Sequence, residues 1–248
     1  MSGTLYLIPN TLGVDSSEDP LASVIPAGVQ SITAKLNYFI AENAKSARAY
    51  LKLVAATTPL EKPLQEIRIS ELNVNTEASA LPALLAPLQA GENAGLISEA
   101  GVPAVADPGA NLVRLAHQYG IPVKPLVGPS SLLLAVMASG LNGQSFAFNG
   151  YLPTDAAQRA KRIKALEDRS RQEKQTQLFI ETPYRNGALL EALAVSCHTN
   201  TLVCVATNLS LASESINTQT AGKWIENLKA GNTPDFHKKP TVFLLLAN

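Results

Sequence analysis

The chain is short of the residues that announce the commonest chemistries. Only two cysteines, Cys197 and Cys204, occur in 248 residues, and their spacing matches no metal-ligand pattern, so a disulfide scaffold or a zinc module is not expected. Both read as reduced thiols. Three histidines, His117, His198 and His237, stand apart from one another, none at ligand spacing. Aromatic residues make up 5% of the chain and charged residues 16%, and 20 basic side chains balance 20 acidic ones. A zero net charge argues against a protein whose whole surface grips nucleic acid, though it leaves room for a local basic patch. The longest apolar runs, Leu132–Ala138 and Thr241–Ala247, fall far short of the ~20 residues of a spanning helix. The opening Met1–Asn10 has no basic stretch ahead of an apolar one and passes directly into a strand pattern, so a cytoplasmic protein without a membrane span is expected. Also missing are G-x-G-x-x-G after a strand, G-x-x-x-x-G-K-[ST], G-x-S-x-G and H-E-x-x-H. The usual dinucleotide, triphosphate, hydrolase and zinc-protease readings therefore lack their carriers.

What is present is an alternation of short apolar runs with longer helical ones, the pattern of an α/β protein with largely parallel strands. Strands are predicted at 4–8, 94–98, 123–126, 147–150, 178–181, 202–206 and 241–246. Helices are predicted over 30–44, where Ile32, Leu36, Phe39 and Ile40 recur at helical spacing, and over 80–90, 109–119, 130–139 and 155–174. The helix at 130–139 has Pro129 at its start and Gly140 at its end, and its near-continuous apolar content predicts full burial. The turn formers Asn142 and Gly143 then place a domain boundary, giving an N-terminal α/β domain over 1–142 and a C-terminal one over 143–248. The helix at 155–174 carries seven basic residues against four acidic ones, which suits either a solvated face or a nucleic-acid contact. The stretch 60–77 has no clear pattern.

Two loops carry more than a turn requires. Gly95–Gly109 follows a strand and precedes a helix, the place where open α/β sheets bind ligands. Its glycines permit close backbone approach, its prolines stiffen the path, and Asp107 is placed to cap or orient the following helix. The second loop, Val127-Gly-Pro-Ser-Ser131, leads into the apolar helix and offers amides and two hydroxyls to a polar ligand.

At these loops the chain resembles the tetrapyrrole methylase superfamily of S-adenosylmethionine-dependent methyltransferases, and within it the 16S ribosomal RNA cytidine 2′-O-methyltransferase branch. The resemblance also rests on Gly3-Thr-Leu-Tyr-Leu-Ile-Pro-Asn10, Ile40-Ala-Glu-Asn43 with Arg48 following, Gly150-Tyr-Leu-Pro153 and Glu181-Thr-Pro-Tyr-Arg185, in this order and spacing. It implies two α/β domains with the cofactor in the cleft between them, and a homodimer. It implies cofactor contacts at Pro9, Ser98, Glu99, Ala100, Val102, Ser130 and Ser131, and in the second domain at Glu181, Ala206, Thr207 and Pro240. Glu42, Asn43, Arg48, Tyr184 and Arg185 would face the acceptor, with Glu42 the catalytic candidate.

Methyl transfer from a sulfonium is an in-line displacement that depends on positioning and needs no metal. A carboxylate near the acceptor hydroxyl would take its proton. Glu42 reads equally as a solvent-facing carboxylate, Arg185 as a phosphate partner or a structural ion pair, and Tyr184 as packing or as base stacking. The likeness weakens on the acceptor side, where Glu42-Asn-Ala-Lys-Ser46, Glu181–Arg185 and Ala206-Thr-Asn-Leu-Ser210 carry less charge than the branch does, and the branch has a further C-terminal helical region. The expectation is thus a methyltransferase acting on ribosomal RNA of the small subunit. The alternatives are a relative that binds the cofactor without catalysis and a methyltransferase of a tetrapyrrole-type small molecule.

Overall fold

The computed structural model describes residues 2–13, 20–236 and 238–247, and the expectation for His237 lies outside them. The chain divides into two compact units, Met1–Ser130 and Ser131–Asn248. Among the described residues no helix is long and apolar enough to cross a membrane.

The first unit alternates strand and helix: β1 (Leu5–Ile8), α1 (Ala27–Ala34), β2 (Tyr38–Ala41), α2 (Ala44–Thr57), β3 (Arg68–Glu71), α3 (Leu81–Gln89), β4 (Ala94–Ile97), α4 (Gly109–Gln118) and β5 (Val123–Pro125). The five strands are all parallel in the order β3-β2-β4-β1-β5. One face buries Ile8, Phe39, Ala41 and Ile97 against Val29 of α1 and Leu51 and Val54 of α2. The other buries Leu5, Tyr38, Ile40 and Leu96 against Leu85 of α3 and Leu112 of α4. The chain leaves β1 toward one edge and β4 toward the other, so these neighbouring strands form the topological switch point, with a crevice at their carboxyl ends.

The helix predicted over 30–44 is corrected here. Only its first part is helical; α1 ends at Ala34, and Tyr38–Ala41 is a central strand. All four strand residues are buried, alternating between the two cores. A parallel strand covered on both faces is a continuous apolar run, and following α1 it mimics helical spacing. The unassigned stretch 60–77 contains β3, an edge strand.

The second unit contains α5 (Ser131–Ser139), β6 (Phe146–Tyr151), α6 (Ala156–Glu173), β7 (Thr176–Ile180), α7 (Asn186–Ser196), β8 (Leu202–Thr207), β9 (Ser215–Thr220), α8 (Ala221–Lys229) and β10 (Thr241–Leu246). Its strand order is β6-β7-β10-β8-β9, and only β6 and β7 pair in parallel. The expectation of largely parallel strands holds for the first sheet and fails for the second. There β8 and β9 are joined by a short loop, and β10 inserts antiparallel between β7 and β8. The core packs Phe179, Phe243, Val203 and Val205 against Leu166 of α6, Leu190 of α7 and Trp224 of α8, whose indole donates to the Val203 carbonyl at 2.9 Å. Both cysteines are free and buried, and burial beside Glu167 pushes the Cys197 thiol up to about 12.

Helix α5 lies against β8, β9 and β10. Its expected full burial is not observed: Ala135 and Val136 are buried, but Leu133 is 53% and Met137 78% exposed. A single helix on a sheet covers one stripe of itself, so apolar residues at i and i+4 on the other stripe remain uncovered.

Candidate functional site

The loops at the carboxyl ends of β1, β2 and β4 are tied together by side chains. Asn10 donates from Nδ2 to the carbonyls of Ser98 (3.1 Å) and Glu99 (3.0 Å). Its main-chain N–H donates to Gly101 O at 2.8 Å, and its Oδ1 accepts from Thr11 N at 2.8 Å. Asn10 therefore bridges the switch point through its side-chain amide and its main-chain N–H. From β2, Glu42 accepts the Glu99 N–H on Oε2 at 2.9 Å, and no donor among the described residues reaches its Oε1. Glu99 turns its side chain toward α2, where Oε1 accepts from Ser46 Oγ at 3.2 Å.

The loop 98–108 is held in an uncommon backbone path. Gly101, Ala104 and Ala106 all have left-handed φ, near +67°, +65° and +62°, a conformation disfavoured for alanine. Asp107 pins it, accepting from Ala104 N on Oδ2 (2.8 Å) and from Gly109 N on Oδ1 (2.7 Å), at the start of α4. Burial raises the Asp107 carboxyl above its ordinary value; the two N–H donors oppose that rise and the nearby Glu42 charge adds to it. Behind the loop, Gly128 packs so tightly on Pro9 that an added Cβ would lie 2.2 Å from the Pro9 Cβ. Beside it, a pocket of about 220 Å³ is lined by Asn10, Thr11, Leu12 and Gly13, by Ser46, Ala49, Tyr50 and Leu53 of α2, and by Glu99.

In the second unit, register places Ile180, Val242 and Ala206 side by side, and Thr241 opposite Thr207. Glu181 follows Ile180 and is completely buried in its side chain. Its Oε1 accepts from Thr182 N (2.7 Å) and from Arg185 Nη2 (2.6 Å) and Nε (3.0 Å), whereas its buried Oε2 has no partner among the described residues. Asn186 donates to Lys239 O and Thr241 Oγ1 while its own Oδ1 is likewise buried without a partner. A buried polar cluster with two unused acceptors thus sits where β7 gives way to α7.

The residues expected at a site divide into four groups. Pro9, Ser98, Glu99, Ala100, Val102 and Glu42 gather at the β1–β4 crevice, though the Ser98 hydroxyl is occupied by Ala100 O. Glu181, Ala206, Thr207 and Pro240 gather at one end of the second sheet, Ala206 and Thr207 buried and Pro240 exposed. Ser130 and Ser131 stand half-buried at the start of α5. On the acceptor side, Asn43 caps α2 through Lys45 N and Ser46 N, Arg48 donates to Leu64 O, and Tyr184 is 76% exposed. Sequence reasoning missed Asn10, Ser46, Asn186 and Thr241. Asn10 adjoins the Pro9 that it did identify, but nothing local marks the other three. Among the described residues no group of three or more His, Cys, Asp or Glu side chains is arranged to hold a metal.

The decisive comparison is with known families. The profile of the Tetrapyrrole (Corrin/Porphyrin) Methylases matches residues 30–224. The chain belongs to this family. Relatives include a Ribosomal RNA small subunit methyltransferase I from Mesorhizobium japonicum, 35% identical over 67% of this chain and 55% of that protein. Another of that name, from Escherichia coli O157:H7, is 29% identical over 92% of this chain and 75% of its own. A third, from Pseudomonas aeruginosa, is 45% identical over 43% and 36%. The match therefore spans little more than half of the Mesorhizobium relative. Among solved structures, the methyltransferase CobJ superposes with a TM-score of 0.62 at 16% identity, covering 99% of this chain and 95% of that one. A uroporphyrin-III C-methyl transferase from Thermus thermophilus, complexed with S-adenosyl homocysteine, gives 0.53 at 16% identity, covering 98% and 97%. Both likenesses bear out the tetrapyrrole methylase fold of two α/β units.

Proposed function

We propose that this methylase-family protein is an S-adenosylmethionine-dependent methyltransferase that modifies ribosomal RNA of the small subunit at a ribose 2′-hydroxyl. The observation that supports this reading is the bridged crevice at the β1–β4 switch point, where Pro9, Ser98, Glu99, Ala100 and Val102 lie with Glu42 within the first unit. The relatives named for ribosomal RNA supply the substrate class.

The residues fit the cofactor. Glu181 Oε2 and Asn186 Oδ1 are buried acceptors without donors among the described residues, and an unmet buried acceptor costs about 1–3 kcal/mol. Both side chains are buried, so the hydroxyl and amino groups of a cofactor would meet these atoms only after the residues over them shift. Pro9, Ser98, Glu99, Ala100, Val102, Ser130 and Ser131 from the first loops, and Glu181, Ala206, Thr207 and Pro240 from the second unit, would hold it. When bound, the cofactor supplies an electrophilic methyl on sulfur. The protein's contribution is placement and a proton acceptor. Glu42, fixed through Oε2 by the Glu99 N–H, keeps Oε1 for the proton of the acceptor hydroxyl. Arg185, oriented by Glu181 and partly exposed, and the basic residues of α6 offer positive charge to phosphates. Asn43 and Arg48 shape the acceptor side by holding α2 and the loop before β3 in place, and Tyr184 presents an exposed ring for stacking.

The same reading includes a cytoplasmic location and pairing of two copies, for which the exposed Leu133 and Met137 on α5 supply an apolar face. The test is Glu42→Gln. Loss of methyl transfer by about 10²–10⁴-fold with unchanged cofactor affinity is expected; transfer at the wild-type rate would remove Glu42 from the mechanism.

A further inference from the structure

The Gly150-Tyr-Leu-Pro153 motif ends β6 and leads into α6, and the chemistry proposed above gives it no part. Strand β6 lies at the edge of its sheet, and its register with β7 shifts between Phe148 and Tyr151, where Gly150 has a left-handed φ near +65°. Such an irregularity re-aims the side chains around it, and the Tyr151 ring is 59% exposed. Register sets Tyr151 beside Ile180, so the chain that runs on from β7 to Tyr184 and Arg185 begins next to it.

Helix α6 divides by charge. Over 151–166 stand four basic side chains, Arg159, Lys161, Arg162 and Lys164, against the single acid Asp155. Asp155 is engaged in capping α6 through Gln158 N. Farther along, Arg169 and Arg171 are paired with Glu173, Asp168 and Glu167, whereas none of the first four cations joins an ion pair among the described residues. Two of these arginines are oriented by single bonds. Arg162 donates from Nη2 to Asn149 Oδ1 at 3.3 Å, and the Asn149 amide is itself anchored on Gln177 Oε1 at 3.0 Å. Arg159 donates from Nη1 to Thr154 O at 3.2 Å. A guanidinium is a fork of several donors that matches a phosphate, so one bond positions each side chain and leaves it able to take an anion.

Unpaired cations beside an exposed aromatic ring fit a single strand of nucleic acid, whose phosphates meet the cations and whose base stacks on the ring. We infer that Tyr151, Arg159 and Arg162 form a subsite for a single-stranded stretch of the RNA substrate other than the acceptor nucleotide. One base stacks on Tyr151, Arg159 and Arg162 hold phosphates, and Lys161 and Lys164 attract the strand. The inference rests on the RNA methyltransferase reading and deepens it, by giving the RNA a docking surface within the second unit that the cofactor and acceptor motifs leave unassigned.

The experiment measures binding of the full chain to 30S subunits isolated without their own methylations over a range of KCl concentrations, with methyl transfer and calorimetric cofactor affinity on the same preparations. Tyr151 and Arg162 are both exposed, so their variants should unfold at the wild-type temperature. Tyr151→Ala should weaken binding about tenfold, the scale of one lost base stack. Tyr151→Phe should bind as wild type does, because stacking needs the ring and not the hydroxyl. Arg162→Gln should flatten the plot of log affinity against log salt by about 0.7, one phosphate contact. Lys229→Gln, which removes an exposed cation at the end of α8, should leave that slope alone. The losses should appear as a higher KM for 30S subunits at the wild-type kcat and cofactor affinity. Wild-type binding by Tyr151→Ala, equal losses in Tyr151→Ala and Tyr151→Phe, a slope in Arg162→Gln no flatter than in Lys229→Gln, or a parallel loss of cofactor affinity would overturn the inference and leave the RNA reading standing. Wild-type protein that binds cofactor and methylates no RNA would instead remove the reading beneath it.

Discussion

Asp107 shows how a single side chain sets the crevice. Its two carboxylate oxygens hold the main chain on either side of two left-handed alanines, so the loop keeps a path that its own residues disfavour. Asp107→Ala removes both acceptors and should cost about 1–3 kcal/mol in urea unfolding, with a matching loss of cofactor affinity as the loop relaxes. The pH dependence has an unusual sign. Burial raises the folded-state pKa above its ordinary 3.8, so the folded protein binds this proton more tightly than the unfolded chain. The contribution of Asp107 to stability is therefore complete below that value and declines as pH rises through the raised one. The advantage of wild type over Asp107→Asn should thus be larger in acid than at neutral pH; an advantage that grows with pH would contradict the assigned shift. Asp107 and Glu181 were legible in the sequence because each stands beside a strand end or a loop glycine. Asn10 and Glu167 were not, since their partners lie far along the chain: Asn10 reaches Ser98, 88 residues away, and Glu167 takes the His198 N–H and the Thr201 hydroxyl across more than thirty residues. Glu167 also shows that α6 is more than a solvated helix, because one of its acids is buried and fixes the turn before β8.

At the scale of elements, the first sheet is defined by how closely its loops approach one another. Gly128 has no room for a side chain against Pro9, so Gly128→Ala should destabilise the protein by about 1–3 kcal/mol or prevent folding. Gly187, inside α7 with open space around it, gives the opposite expectation: Gly187→Ala should stabilise by about 0.5–1 kcal/mol. Thermal unfolding of the two variants side by side checks both signs. The elements that were easiest to foresee were those with a period or a stop signal, such as α4 ending before Gly120 and β10, foreseen over 241–246. The helices α2, α7 and α8 were missed although α2 and α8 have N-caps at Asn43 and Thr220 and α8 stops before Gly231, whereas the missed strands had neither signal. Strand β2 is buried on both faces and lacks alternation, while β3 and β9 are edge strands whose polar residues, Ser215-Ile-Asn-Thr-Gln-Thr220 among them, carry little apolar signal. For the same reason the second sheet was expected to be parallel: strand spacing alone does not disclose that β10 runs antiparallel to both its neighbours.

For the whole molecule, the motifs that carried the family resemblance fall at the carboxyl edge of the first sheet and at one end of the second, and Gly128–Ser131 runs from the first unit into the second. That is why the family was legible from short loops when several strands were not. Helix α5 adds an assembly prediction. Its Leu133 and Met137 are exposed one turn apart, and replacing both with Glu should convert a dimer to a monomer in sedimentation velocity without lowering the unfolding temperature; a wild-type protein that sediments as a monomer would rule out this pairing. The central claim is methyl transfer to ribosomal RNA, and the most direct measurement supplies purified protein with methyl-labelled S-adenosylmethionine and unmethylated 30S subunits, then separates the digested nucleosides. Label in a single 2′-O-methyl nucleoside, abolished by Glu42→Gln, is the expected result. Label in no RNA nucleoside, from protein shown to bind the cofactor, would contradict it.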